Sequence, residues 1–165
     1  MIGLTALALA IAQPAPAAAN LGARAFQRLA ELVGTWRGAD QAETSSRIRF
    51  YLTAGGTVLV ESWERDGQPH SLTLYHRDGA DLIATHYCPQ GNQPRLSLAT
   101  SGTKLNFAYR DATDLDANES HLHELGFDLT DPKHPVRSET YRKDGESQRS
   151  VLYLVEAAAS STSRP

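Results

Sequence analysis

From Ser46 to Val155 the chain is written in short runs that alternate apolar and polar residues, and a turn-forming pair interrupts them about every eight to twelve residues. Gly55-Gly56, Asp66-Gly67, Asp78-Gly79, Ser101-Gly102 and Asp144-Gly145 are the clearest of these pairs. Glycine reaches positive φ without steric cost, so each pair favours a tight hairpin between two strands. Ser46 to Thr53 shows the pattern well, with Ile48, Phe50 and Leu52 on one face and Arg47, Arg49 and Tyr51 on the other. Reading the rest the same way predicts ten strands: Thr35–Arg37, Ser46–Thr53, Thr57–Glu64, Ser71–His76, Asp81–Cys88, Leu96–Thr100, Lys104–Tyr109, Ser120–Leu129, Val136–Arg142 and Ser147–Val155. Ten strands in hairpin order would leave two open edges if they lay flat, and closure removes both. The expected fold is all-β: a closed or nearly closed antiparallel meander barrel.

One helix precedes it. Phe26, Leu29, Leu32 and Val33 recur at helical spacing between Leu21 and Val33, and Gly34 ends the run. A short N-terminal helix capping one mouth of the barrel is therefore expected.

The 165 residues suit one domain with a substantial core, and their formal net charge of −3 offers no basic stripe for a nucleic-acid backbone. Residues 1–19 combine an apolar run from Ile2 to Ala12 with small residues up to Ala19, which reads as a signal peptide cleaved near Ala19. The run lacks a positive start and is shorter than the ~20 residues a membrane span needs, so no permanent anchor is expected. The domain then covers 20–156, and a tail at 157–165 has no apolar period. This organisation places the protein in the periplasm or outside the cell. The single cysteine, Cys88, cannot form an internal disulfide there.

LVGTWRG, from Leu32 to Gly38, stands directly after the helix and at the entry to the meander. It resembles the Gly-x-Trp signature of the calycin superfamily, which holds the lipocalins, the fatty-acid-binding proteins and the nitrobindin-like barrels. The resemblance implies structural roles for Gly34, Trp36 and Gly38, the indole plugging the closed end of the barrel. YHRDGADLIATHYCPQGNQPRL and ESHLHEL are in turn similar to a group of exported bacterial barrels of unassigned function. Together the resemblance spans roughly Ala30 to Val155 and implies a fold without implying a reaction. Nitrobindin-like proteins hold haem through a histidine late in the barrel, whereas Pro135 to Pro165 contains none.

Five of the six histidines, His70, His76, His86, His121 and His123, fall on or beside expected strands. His86 shares a strand face with Cys88, and His121 shares one with His123. Leu82 and Ala84 continue the first face, Leu125 and Phe127 the second, so both pairs are expected to point inward. Three readings follow. In the first, the barrel binds a small, partly apolar molecule without catalysis, and His86, Tyr87, Arg95, His121 and His123 supply polar contacts. In the second, His86, Cys88, His121 and His123 converge on zinc, copper or haem. The third is an enzyme of the barrel interior, for which no catalytic set can be named. Cys88 and His86 stand roughly 6–7 Å apart by strand rise, too far for direct proton transfer. The stretch Pro89 to Pro94 is turn chemistry, and the acidic run Asp111 to Glu119 lacks the glycine and closing glutamate of a calcium loop.

Overall fold

The computed structural model describes residues 21–42 and 45–158. The expected signal peptide, residues 1–19, and all but the first two residues of the expected tail lie outside the described residues.

A helix α1 (Leu21–Ala30) leads into ten antiparallel strands: β1 (Gly34–Gly38), β2 (Ser46–Thr53), β3 (Val58–Arg65), β4 (Gln68–Asp78), β5 (Asp81–Tyr87), β6 (Gln93–Thr100), β7 (Lys104–Thr113), β8 (His121–Asp128), β9 (Val136–Lys143) and β10 (Glu146–Glu156). Each strand pairs with the next in sequence, and β10 pairs back on β1 through Trp36 opposite Glu156 and Gly38 opposite Leu154. The barrel is closed, a ten-strand antiparallel meander consistent with a calycin-like barrel.

The turn residues do what their chemistry allows. Asp66-Gly67 and Asp144-Gly145 both place two successive residues at positive φ, between 51° and 80°, the geometry of the tight hairpin turn that matches strand twist. The helix is shorter than its apolar spacing suggests. It stops at Ala30, and Leu32 is held in the following turn by its N–H donating to the Leu29 carbonyl at 3.0 Å. Ala25, Leu29 and Leu32 are buried, whereas Val33 is exposed. Several strands run further than expected: β4 begins at Gln68, β6 at Gln93, and β7 continues to Thr113.

The helix seals one end. Its Gly22 N–H donates to Ala80 O in the β4–β5 turn at 3.1 Å, and Arg28 Nη2 donates to Leu129 O after β8 at 3.1 Å. Trp36 lies beneath it, 4% exposed, with its indole N–H donating to Leu32 O at 2.7 Å. Above this floor four rings meet across the lumen. Phe127 from β8 lies edge-on to Phe50 from β2 and to Tyr75 from β4, at centroid distances of 6.3 and 6.1 Å, and Tyr75 also meets Phe107 of β7 at 5.7 Å. Rings from opposite walls in contact leave no open channel at this level.

The other end carries the β3–β4 and β9–β10 hairpins and the β5–β6 and β7–β8 loops, and among the described residues no helix covers it. No helix among the described residues is long and apolar enough to cross a membrane.

Candidate functional site

Between the aromatic layer and the uncovered end, the inward positions turn polar. Alternation on β3 sends Leu59, Glu61 and Trp63 inward, and on β9 it sends Arg137, Glu139 and Tyr141 inward. Glu61 and Arg137 are 0% and 2% exposed and form an ion pair through Arg137 Nε and Glu61 Oε1 at 2.6 Å. Glu61 also accepts from Trp63 Nε1 at 2.6 Å and from the Tyr75 hydroxyl. Arg137 Nη1 donates to Glu139 Oε2 at 2.6 Å, and its guanidinium lies 4.9 Å from the centre of the Trp63 ring. Burial disfavours the Arg137 charge, but Glu61 and Glu139 more than offset this and hold it protonated. Burial likewise works against the Glu139 carboxylate, and Arg137 overrides it, so its pKa falls below the ordinary carboxylate value. Burial, then the nearby Glu61, raises the Tyr75 hydroxyl.

His86 joins this layer from β5. It is 2% exposed, its Nδ1 lies 2.9 Å from Thr73 Oγ1 on the neighbouring strand, and its Nε2 lies 3.1 Å from the Tyr141 hydroxyl across the lumen. The Tyr141 hydroxyl also shares a hydrogen bond with the buried Cys88 thiol. Burial, reinforced by the positive charge of Arg137, lowers the His86 pKa to about 4. Burial raises the Cys88 thiol against weaker lowering by hydrogen bonds from Leu122 and Tyr141, and burial, with the neighbouring Cys88, raises Tyr141. The imidazole is therefore neutral and the thiol protonated at neutral pH. A thiolate–imidazolium pair, which a cysteine nucleophile requires, is disfavoured on both sides.

The polar layer opens into a hollow of about 390 Å³ at the uncovered mouth. Glu139 and Tyr141 form its floor, Arg65, His70 and Ser120 its rim, and Gln148 and Ser150 of β10 one wall. Burial and the charge of Arg65 lower the pKa of His70. A larger hollow of about 510 Å³ lies between α1 and the β6–β7 turn, but surface side chains such as Arg24, Arg28 and Glu31 line it, and no buried charge faces it. Of these two hollows, the mouth combines concavity with buried, oriented polar groups.

The residues that the sequence nominates divide between inside and outside. His86 and Cys88 point inward. Tyr87, next to His86, necessarily takes the outer face, where it is 42% exposed and opposite Leu72. Arg95 precedes the inward Leu96 and lies outside, its Nε and Nη2 donating to the two carboxylate oxygens of Asp111 at 2.5 and 2.8 Å. His121 and His123 do not join the interior. A register shift between Leu122 and Glu124 inserts His123 as an extra residue, so Leu122 and Leu125 are both inward while His121 pairs with Arg142 on the outer face. The bulge is the physical reason the expected continuity from His121 to Phe127 fails. His86, Cys88, His121 and His123 consequently do not surround one ion, and among the described residues no three His, Cys, Asp or Glu side chains gather as a metal-holding group.

Glu61, Thr73, Arg137, Glu139 and Tyr141 are not among the residues that the sequence nominates. Glu61 carries a usable signal, because it occupies the same strand phase as Leu59 and Trp63. The β9 residues carry none, since the only aliphatic side chain of VRSETYRK, Val136, is out of phase with the inward set.

No protein-family model matches the chain, and no curated protein matches it significantly.

Proposed function

We propose that the protein is a calycin-like barrel that binds a small molecule at its open mouth, in an extracytoplasmic compartment, and does no covalent chemistry on it. The observation that carries this reading is the 390 Å³ hollow floored by Glu139 and Tyr141. Both are anchored from beneath, Glu139 by Arg137 and Tyr141 by His86, so they are held in place before any ligand arrives. The size falls in the range of small-molecule sites, roughly 300–1,000 Å³. The aromatic layer confines the ligand to the outer half of the barrel, where hydrogen-bonding groups outnumber apolar ones, and Pro89 with the Tyr141 ring supplies apolar contact. The expected cargo is a compact molecule with several hydrogen-bonding groups and a limited apolar surface.

Native mass spectrometry of the protein purified from its own host, compared with the denatured mass, tests the reading. An organic mass lost on denaturation is expected, and the same mass is expected to be missing from Ser150→Trp, which fills the mouth from the exposed side without touching Glu61, Arg137 or His86. A host-purified protein with no excess mass, or a Ser150→Trp protein that retains it, contradicts mouth binding.

A further inference from the structure

The bulge that turns His121 and His123 out of the barrel also brings them together. Two residues apart on a regular strand, their side chains would stand roughly 6–7 Å apart. Here His121 Nε2 and His123 Nδ1 are separated by 3.4 Å, with the rings at 71° to one another. Tyr109 supports both, stacked on His123 at 5.2 Å and tilted against His121 at 5.0 Å. Glu119 O lies 3.3 Å from His121 Nδ1 and accepts its proton in a hydrogen bond. That tautomer leaves the His121 Nε2 lone pair free and directed at His123.

The spacing has a chemical meaning. Two imidazole nitrogens bound to one tetrahedral ion at about 2.0–2.1 Å stand about 3.3–3.4 Å apart. In the metal-free protein a hydrogen bond from His123 Nδ1–H to His121 Nε2 occupies the gap. An ion can replace that proton at Nδ1 if the proton passes to His123 Nε2, so each imidazole stays neutral and no net proton is lost.

We propose that His121 and His123 form a two-imidazole clip for a divalent first-row transition-metal ion such as Zn²⁺, Cu²⁺ or Ni²⁺, on the outer wall of the barrel and independent of the mouth. The clip borders a hollow of about 420 Å³ lined by Asp116, Glu119, Arg142, Lys143 and Asp144 among others. Three carboxylates against two cations there leave a small negative excess, which offsets the repulsion from Arg142, the cross-strand neighbour of His121. No third histidine, cysteine or carboxylate completes the set among the described residues, so the remaining positions of the ion belong to water. Imidazole donors suit these ions and not the harder Mg²⁺ or Ca²⁺.

The test uses the full chain, stripped of metal with chelator. Zn²⁺ titrated by calorimetry should bind at one ion per chain. His121→Ala and His123→Ala should each weaken binding at least roughly tenfold, since losing a ligand costs no less than losing its supporting hydrogen bond. His134→Ala, which alters an exposed histidine in the loop before β9, should leave it unchanged. With Cu²⁺, electron paramagnetic resonance should show coupling to two nitrogens in the wild-type protein and to one in either variant. Both positions lie on the outer wall, and an unchanged melting temperature would confirm that each variant is folded. Absence of Zn²⁺ binding, or binding that survives in both variants, would overturn the clip.

Discussion

Arg137 is the residue on which the interior polar layer depends, because it is a buried cation that faces two carboxylates, Glu61 and Glu139. A buried ion pair contributes little net stability over an apolar replacement, but breaking it from one side strands a charge. Arg137→Met is therefore expected to lower the unfolding free energy by about 3–5 kcal/mol, with Glu61 left unpaired. The double variant Glu61→Gln with Arg137→Met should recover much of that loss. Urea denaturation of Glu61→Gln, Arg137→Met and the double variant measures the coupling, and equal losses in Arg137→Met and the double variant would show that the pair is not the cause. Legibility at this scale follows strand phase. The inward placement of His86 and Cys88 could be read from Leu82 and Ala84 on the same face, and the outer placement of Tyr87 and Arg95 follows from His86 and Leu96 beside them. Arg137 could not be read this way, since an arginine among polar neighbours ordinarily marks a solvated face.

Among the elements, α1 holds its place through backbone contact. A Cβ at Gly22 would come within 2.6 Å of Ala80 O and Asp81 O, both backbone atoms that cannot swing aside. Gly22→Val is expected to lift the first helical turn off the β4–β5 turn and to cost about 1–3 kcal/mol, as overpacking does. Thermal melting checks the magnitude. Loss of amide-exchange protection at Gly22, with protection retained at Phe50, would locate the damage at the seal, and a uniform loss would refute a local effect. Strand β8 shows where element reading from sequence stops. ESHLHELGF supports unbroken alternation as well as it supports a bulge, because His121 and His123 tolerate either face. The bulge is decided by β9, whose register pairs Leu122 with Tyr141 and Glu124 with Thr140. By contrast, Pro89 to Asn92 behave as their composition says, while Gln93 and Pro94 already belong to β6: Gly91 N–H closes the turn onto Cys88 O at 3.1 Å, and Asn92 Nδ2 ties it to Ser120 O at 3.0 Å.

Across the whole molecule, the buried titratable groups make stability depend on acid. His86 titrates at about 4 when folded, against 6.5 ordinarily, while Arg137, Glu139 and His70 bias it through space. Between those values the unfolded chain binds a proton that the folded chain rejects, so the His86 contribution is complete above about pH 6.5 and is lost as pH falls towards 4. The loss amounts to at most about 3 kcal/mol. The lowered pKa of Glu139 acts in the same direction at more acid pH, since its contribution is present above the ordinary carboxylate range and lost below it. Denaturant unfolding from pH 8 to pH 4 should show a falling midpoint, and His86→Gln should flatten the upper part of that fall. An unchanged profile in His86→Gln would show that another group carries it. The alternating runs and turn pairs by themselves determined the strand count, the hairpin order and the helix at the entry, because period-two patterning and positive-φ turns are local properties of the chain. Barrel closure was implied by edge-strand chemistry and realised through β1 and β10. Only the tertiary structure decided which polar residues meet inside, because Glu61 and Arg137 are 76 positions apart and no local signal links them. The same holds for the histidines: a one-residue bulge, set by the register of a neighbouring strand, separates His86 from His121 and His123 and gives the two groups different surroundings.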